Sequence, residues 1–142
     1  MKDEYTTAFY DIVKEASETT GYQLPLEIEA YVVMLLADKI DKPNFLPETS
    51  FAESLLALKQ PYRLTAKELG DTCLFVTGVF PSYGQNKGLN VTYYSNIGKS
   101  SYSMAKEYLN IDLFDSLSIH FDFLRNFIDT SINKRKTPPI FK

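Results

Sequence analysis

Five of the six glycines of this chain fall between Gly70 and Tyr102. Three of them, at positions 70, 78 and 98, interrupt stretches whose apolar residues have helical spacing. Glycine inside a helix costs about 1 kcal/mol relative to alanine, so a helix that carries it has a packing or functional reason. For Gly78 and Gly98 we consider two reasons. The commoner one is the close crossing of two helices, and the other is a space left for a ligand.

Apolar residues recur every three to four positions along nearly the whole chain, which predicts helices throughout. We predict a single-domain, all-α bundle of about six helices over residues 1–132, followed by a basic, proline-containing, mobile tail over 133–142. The segment VTYYS is rich in strand-forming residues, but a longer helical pattern runs through it. The predicted helices cover residues 3–17, 25–41, 50–58, 65–80, 91–109 and 112–132.

Several helix ends carry recognisable signals. Gly21 can form a left-handed cap, and Asn90 can cap the helix that follows it. The sequence Thr65-Ala66-Lys67-Glu68 has the pattern of a capping box, which predicts a helix start at Thr65. The centre of the second helix, AYVVMLLA, is apolar all round, which is typical of a central helix surrounded by others.

The overall composition excludes several functional classes. Net charge is −3, so nucleic-acid binding would need a local basic patch, and only the tail offers one. A single cysteine and a single histidine exclude an internal disulfide and any multi-cysteine or multi-histidine metal site. The longest apolar run is too short to span a bilayer, and no secretory signal is visible. We predict a cytoplasmic protein with no metal and no cofactor.

Three polar residues could carry chemistry. Asp71 could face a pocket or a metal, or it could be an exposed carboxylate beside a glycine that admits a neighbouring helix, which we favour. Cys73 shares an apolar stripe and is predicted to act as a small apolar residue. His120 could act as a catalytic base, but it lacks a recognised nucleophile context and is predicted to be a core or boundary histidine.

Tyrosines at positions 93, 94, 102 and 108 lie along the predicted helix 91–109. Tyrosine combines a large apolar ring with a polar tip, which suits interfaces and pocket walls. The alternative is that these rings form core and that their hydroxyls reach its rim. Serines at 95, 100, 101 and 103 give the same helix a small, polar remaining surface. Part of that surface is therefore expected to be open or at an interface.

The pattern LGDxxLFxxGxFP, from Leu69 to Pro81, is followed by YYxxxGxxxY, from Tyr93 to Tyr102. Together these motifs resemble a family of small bacterial helical proteins to which no activity has been assigned. The resemblance covers about a quarter of the chain. It implies a compact bacterial domain and implies no catalytic residues.

These observations favour a non-enzymatic protein that acts by protein–protein interaction, as an adaptor, a chaperone-like factor or an accessory subunit. Binding is predicted through the fourth and fifth helices, and homo-oligomers are possible. The alternative is a small-ligand pocket between the fourth, fifth and sixth helices, and a hydrolase using the histidine ranks third. The predicted surface or pocket residues are Asp71, Phe75, Gly78, Tyr93, Tyr94, Gly98, Tyr102 and His120.

Overall fold

A computed structural model describes residues 2–40, 51 and 63–133 of the chain. Over these residues the chain is helical and contains no strand, so the predicted all-α bundle is confirmed. The predicted short helix 50–58, apart from position 51, and the tail beyond position 133 lie outside the described residues. The helices are α1 (Lys2–Thr20), α2 (Leu26–Ile40), α3 (Arg63–Val79), α4 (Val91–Leu109), α5 (Asp112–Ile119) and α6 (Phe121–Ile132).

Helix α3 is the centre of the bundle. Every residue from 69 to 78 is buried, because α4 packs on one side of α3 and α6 on another. Helix α5 packs against α4, while α1 and α2 form a hairpin that contacts α6, α3 and α5. None of the helices in the described part of the chain is both long and apolar enough to cross a membrane.

The prediction that α2 is the central helix is wrong. Its inner face is buried, with Val32 and Leu36 fully enclosed. Leu26, Ala30 and Met34 are exposed on the outside. An apolar composition on all sides therefore reflects two different apolar surfaces, one that packs against the core and one that faces solvent.

Two of the three predicted helix ends are confirmed. Gly21 has a positive φ of 78° and its N–H donates to the Ser17 carbonyl at 2.9 Å. The Asn90 side chain accepts a hydrogen bond from the Tyr93 N–H at 3.2 Å. Helix α3, however, begins at Arg63 rather than at Thr65, since arginine and leucine are good helix formers and extend the helix upstream of the capping-box pattern.

The single helix predicted over residues 112–132 is divided at His120, where φ is −99° and ψ is 18°. The hydrogen-bond ladder continues through the bend: the His120 N–H donates to Ser116 and its carbonyl accepts from Leu124. The bend lets α5 pack on α4 while α6 packs on α3 and α1. Apolar periodicity alone did not reveal it, because the buried stripe is unbroken across the division.

Candidate functional site

The glycines of α3 and α4 lie at close helix contacts. A methyl group at Gly98 would come within 2.5 Å of the Phe121 ring and 2.9 Å of Cys73 Cβ. A methyl group at Gly78 would come within 2.7 Å of Ile128 Cγ2. The favoured interpretation, close packing of helices, is therefore confirmed at both positions. The space beside Gly98 is filled by protein.

Gly70 makes a third close contact, and this one positions a polar group. A methyl group there would come within 2.6 Å of the Tyr102 ring, so the ring lies directly on the backbone of α3. Its hydroxyl donates to Asp71 Oδ1 at 2.7 Å. The Tyr31 hydroxyl of α2 donates to the same oxygen at 2.6 Å. Lys67, one turn earlier on α3, donates to Asp71 Oδ2 at 2.9 Å.

These four residues, Tyr31, Lys67, Asp71 and Tyr102, form what we call the Asp71 cluster. Burial is the main reason that the pKa of the Tyr102 hydroxyl is well above its usual value, and the charge of Asp71 raises it further. The same two causes raise the pKa of Tyr31. Both phenols therefore stay protonated and donate to the carboxylate. A buried charge is tolerated when it is paired and hydrogen-bonded in this way.

The predicted exposed position of Asp71 is wrong, since only 5% of the residue is accessible. Its two oxygens already have three donors, and Tyr102 beside it is fully enclosed. A substrate could reach the carboxylate only by displacing these donors. The Asp71 cluster therefore joins α2, α3 and α4 as a structural element.

The predicted tyrosine surface is largely interior. Tyr94 is buried and packs edge-on against Phe51 and Tyr83. Tyr93 is half-buried, with its ring 4.8 Å from that of Tyr94. Phe75 is also enclosed. The structure therefore places these residues in or beside the core, which agrees with the core alternative.

Some serines of α4 lie in the core and others lie on the surface. Ser95 and Ser101 are buried, and the Ser101 hydroxyl donates to the Ile97 carbonyl at 2.8 Å. Ser100 and Ser103 are exposed. The open part of α4 is thus confined to a polar strip with little apolar area.

His120 and Cys73 are not brought together. Burial raises the pKa of the Cys73 thiol, which keeps it protonated and unreactive. His120 is exposed at the bend between α5 and α6 and lines a surface groove with Tyr22 and Phe123. It is therefore not a core residue, and it does not face Gly98 across a common pocket.

The α1–α2 groove, on the outside of the helical hairpin, has a volume of about 510 Å³. Its most exposed apolar residues are Leu26 at 79%, Met34 at 49% and Tyr10 at 43% accessibility. Leu26, Ala30 and Met34 are four residues apart, so they follow one line along α2. The residues that line the groove are Thr6, Thr7, Tyr10, Leu26, Glu29, Ala30, Val33 and Met34.

Glu29 is the charged residue of this groove. It is only 7% accessible, and its charge acts on Lys14 of α1, where it adds to the hydrogen bond with Tyr10 in raising the pKa of that ammonium. The direct hydrogen bond of Lys14 is to the Tyr10 hydroxyl, at 3.3 Å. The positive end of the α2 dipole offsets part of the cost of this charge, because Glu29 lies in the first turn.

The sequence interpretation missed the α1–α2 groove. A signal was present, since α2 carries more apolar residues than one core-facing side can hold. Such an excess is typical of burial inside a bundle, and it equally suits an exposed groove.

No group of three or more histidine, cysteine, aspartate or glutamate residues is placed to hold a metal ion within the described ranges. Comparison of the chain with protein-family models, with curated proteins and with solved structures finds no match.

Proposed function

We propose that this protein is a non-enzymatic binding protein that receives a protein partner in the α1–α2 groove. The observation that carries the proposal is the line of exposed apolar residues along α2, beside Tyr10 of α1. A contiguous apolar surface in a folded domain commonly marks an interaction site. A role as an adaptor, a chaperone-like factor or an accessory subunit is consistent with such binding.

The shape of the groove supports a helical or extended segment as the ligand. Two helices that pack side by side leave a furrow, and an amphipathic helix can lay its apolar face in it. Met34 at the rim adds a flexible side chain that adapts to different partners. The rest of the bundle, fixed by the glycine contacts and the Asp71 cluster, acts as the scaffold.

This proposal moves the binding surface away from α3 and α4. Tyr94 and Tyr102 are buried, so their substitution would disturb the core before it disturbed a partner. The alternative of a ligand pocket beside Gly98 receives no support, because Phe121 and Cys73 occupy that space.

Site-specific photo-crosslinking in the native host tests the proposal. A photoreactive amino acid is placed at Ala30, in the groove, and in a second protein at Ser100, which is exposed on α4. We expect a discrete crosslinked species from position 30 and not from position 100. Adding Met34→Glu to the first protein should abolish the species, because the charge would lie in the apolar contact.

Ile119→Glu provides the matched control, since Ile119 is exposed on α5 and does not line the groove. Both glutamate variants should keep the thermal midpoint of the parent, because the replaced side chains are exposed. The proposal is wrong if position 100 yields the same species as position 30, or if Met34→Glu leaves the crosslink intact.

A further inference from the structure

We infer that the ligand of the α1–α2 groove is a cationic amphipathic helix that places a lysine or arginine against Glu29. This inference rests on the proposed function and adds the chemical class of the partner. It is carried by three features of the hairpin: its charge, the carboxylate in the groove and the geometry of the apolar line.

The hairpin is much more acidic than the rest of the molecule. Residues 2–40 contain eight acidic and three basic side chains, a net charge of −5, whereas the whole chain carries −3. The remainder is therefore net positive. A field of this kind steers a cationic ligand towards the hairpin and repels a second acidic surface. For the same reason, the charge disfavours pairing of two copies through their α2 helices.

Glu29 gives the charge a defined position. It lines the groove with Ala30, Val33 and Met34, and it is itself 7% accessible. A buried carboxylate ordinarily has a hydrogen-bonding partner, as Asp71 does with its three donors. Glu29 has a charge interaction with Lys14, whose own hydrogen bond goes to Tyr10. An ammonium or guanidinium group from a ligand would supply donors to this carboxylate in a charge-assisted hydrogen bond.

The apolar line fits the spacing of a helix. Leu26, Ala30 and Met34 span about 12 Å along α2 at the helical rise. The small side chain of Ala30 lies between two large ones, which leaves a hollow for an apolar residue of the ligand. Rows of residues four apart are the ridges and grooves through which helices pack. A ligand with apolar residues at the same period would meet this line and the Glu29 carboxylate together.

Three fluorescent synthetic peptides test the inference with the full chain. They share one leucine face and differ on the polar face, which carries lysine, glutamine or glutamate. We expect the lysine peptide to bind most tightly in fluorescence anisotropy and the glutamate peptide to bind most weakly. Added salt should narrow the difference, because it screens the charges outside the groove.

The decisive variant is Glu29→Gln, with Glu107→Gln on α4 as the control for charge. Glu29→Gln should weaken the lysine peptide about tenfold, the loss expected for one charge-assisted hydrogen bond. Glu107→Gln should leave the affinity of the protein for the lysine peptide unchanged. The unfolding midpoint of free Glu29→Gln should stay within about 4 °C of the parent, because the charge interaction with Lys14, which is exposed, contributes little. A merely structural carboxylate would instead lower the midpoint and leave binding intact.

The outcomes separate this inference from the proposed function. Equal binding of the lysine and glutamine peptides, lost in Met34→Glu, would overturn the charge inference and retain the groove. Binding of the lysine peptide that Met34→Ser, which removes the apolar contact without adding charge, does not reduce would overturn both. Two results would contradict the inference that the groove binds a separate partner. One is a dimer by light scattering. The other is lysine-peptide binding that appears only after Lys134, Arg135 and Lys136 are replaced by serine. The occupant would then be a second copy or the basic segment of this chain.

Discussion

Two regions of the molecule differ in how their apolar and polar side chains are packed and paired: the interface between α3 and α4, and the hairpin of α1 and α2. In the first, glycines bring the helices into close contact, and the buried carboxylate of Asp71 has three donors. In the second, large apolar side chains remain exposed, and the carboxylate of Glu29 has a charge interaction with Lys14, whose hydrogen bond goes to Tyr10. The buried carboxylate and the apolar groups of the α3–α4 interface are partnered within the protein. The hairpin has the features of a surface that is completed by another molecule.

The contrast teaches that burial of an acidic residue does not by itself indicate its role. Asp71 and Glu29 have nearly the same accessibility. They differ in what surrounds the carboxylate, and substitutions should therefore affect them in opposite ways. Loss of Asp71 should cost stability, whereas loss of Glu29 should cost binding.

Asp71→Ala should have the largest effect on folding. It leaves one buried phenol, one half-buried phenol and Lys67 without their acceptor, which should lower the free energy of unfolding by about 3 kcal/mol. Asp122→Ala is the matched control, because Asp122 pairs with Lys99 at an exposed position and should cost less than about 1 kcal/mol. Urea denaturation measures both. Similar losses of unfolding free energy in the two variants would contradict the distinction between the buried Asp71 cluster and the exposed ion pair of Asp122.

The Asp71 cluster should also make the protein sensitive to alkali. The pKa of Tyr102 is higher in the folded chain than in the unfolded chain, so its contribution is fully present below the unfolded value of about 10 and is lost as pH rises. Tyr102→Phe should reduce the fall in unfolding free energy by about 1.4 kcal/mol per pH unit above that value. Denaturation between pH 10 and 12 measures the slope. Equal slopes for parent and variant would show that the ionisation of Tyr102 does not contribute to the loss of stability at high pH.

Gly98→Ala tests the close contact of the helices. The added methyl group must displace Phe121 or Cys73, at a cost of about 2 kcal/mol, while the gain in helix propensity returns up to about 1 kcal/mol. A net loss of about 1 kcal/mol is expected in urea denaturation. Ser100→Ala, on the exposed side of the same helix, should be neutral or slightly stabilising. A stabilising Gly98→Ala would show that the contact has room for a side chain.

The smallest effect is expected on the outer side of the hairpin. Leu26→Ala should change the unfolding free energy by less than about 0.5 kcal/mol, because the side chain is mostly exposed. Leu36→Ala on the inner side of the same helix should cost about 3 kcal/mol, because Leu36 is fully buried. Thermal denaturation compares the two. A large cost for Leu26→Ala would mean that the groove already contributes to the fold.

The sequence was sufficient to predict the helices and the reason for their glycines. Apolar periodicity located α4 at its observed bounds, and the cost of glycine in a helix indicated close contact at Gly78 and Gly98. The bend at His120 could not be predicted, because it follows from where α5 and α6 pack rather than from a local signal.

The sites were harder to predict because their residues are distant in the chain. Lys67 and Asp71 are one turn apart and visible as a pair, but Tyr31 and Tyr102 reach Asp71 from two other helices. For α2, an apolar pattern on all sides did not distinguish burial in the bundle from exposure in a groove. Only the arrangement of the helices separates the side that packs from the side that remains open.

Backbone amide chemical shifts, recorded during titration with the lysine-faced peptide, test most directly whether the hairpin is the binding surface. We expect the largest changes at residues 6–10 of α1 and 26–34 of α2, with little change from 93 to 102. Met34→Ser, which removes the apolar contact without adding charge, should suppress the changes at the hairpin. Changes concentrated at Tyr93, Tyr94 and their neighbours on α4, with the hairpin unaffected, would contradict the assignment and return the binding surface to the helix that the sequence first indicated.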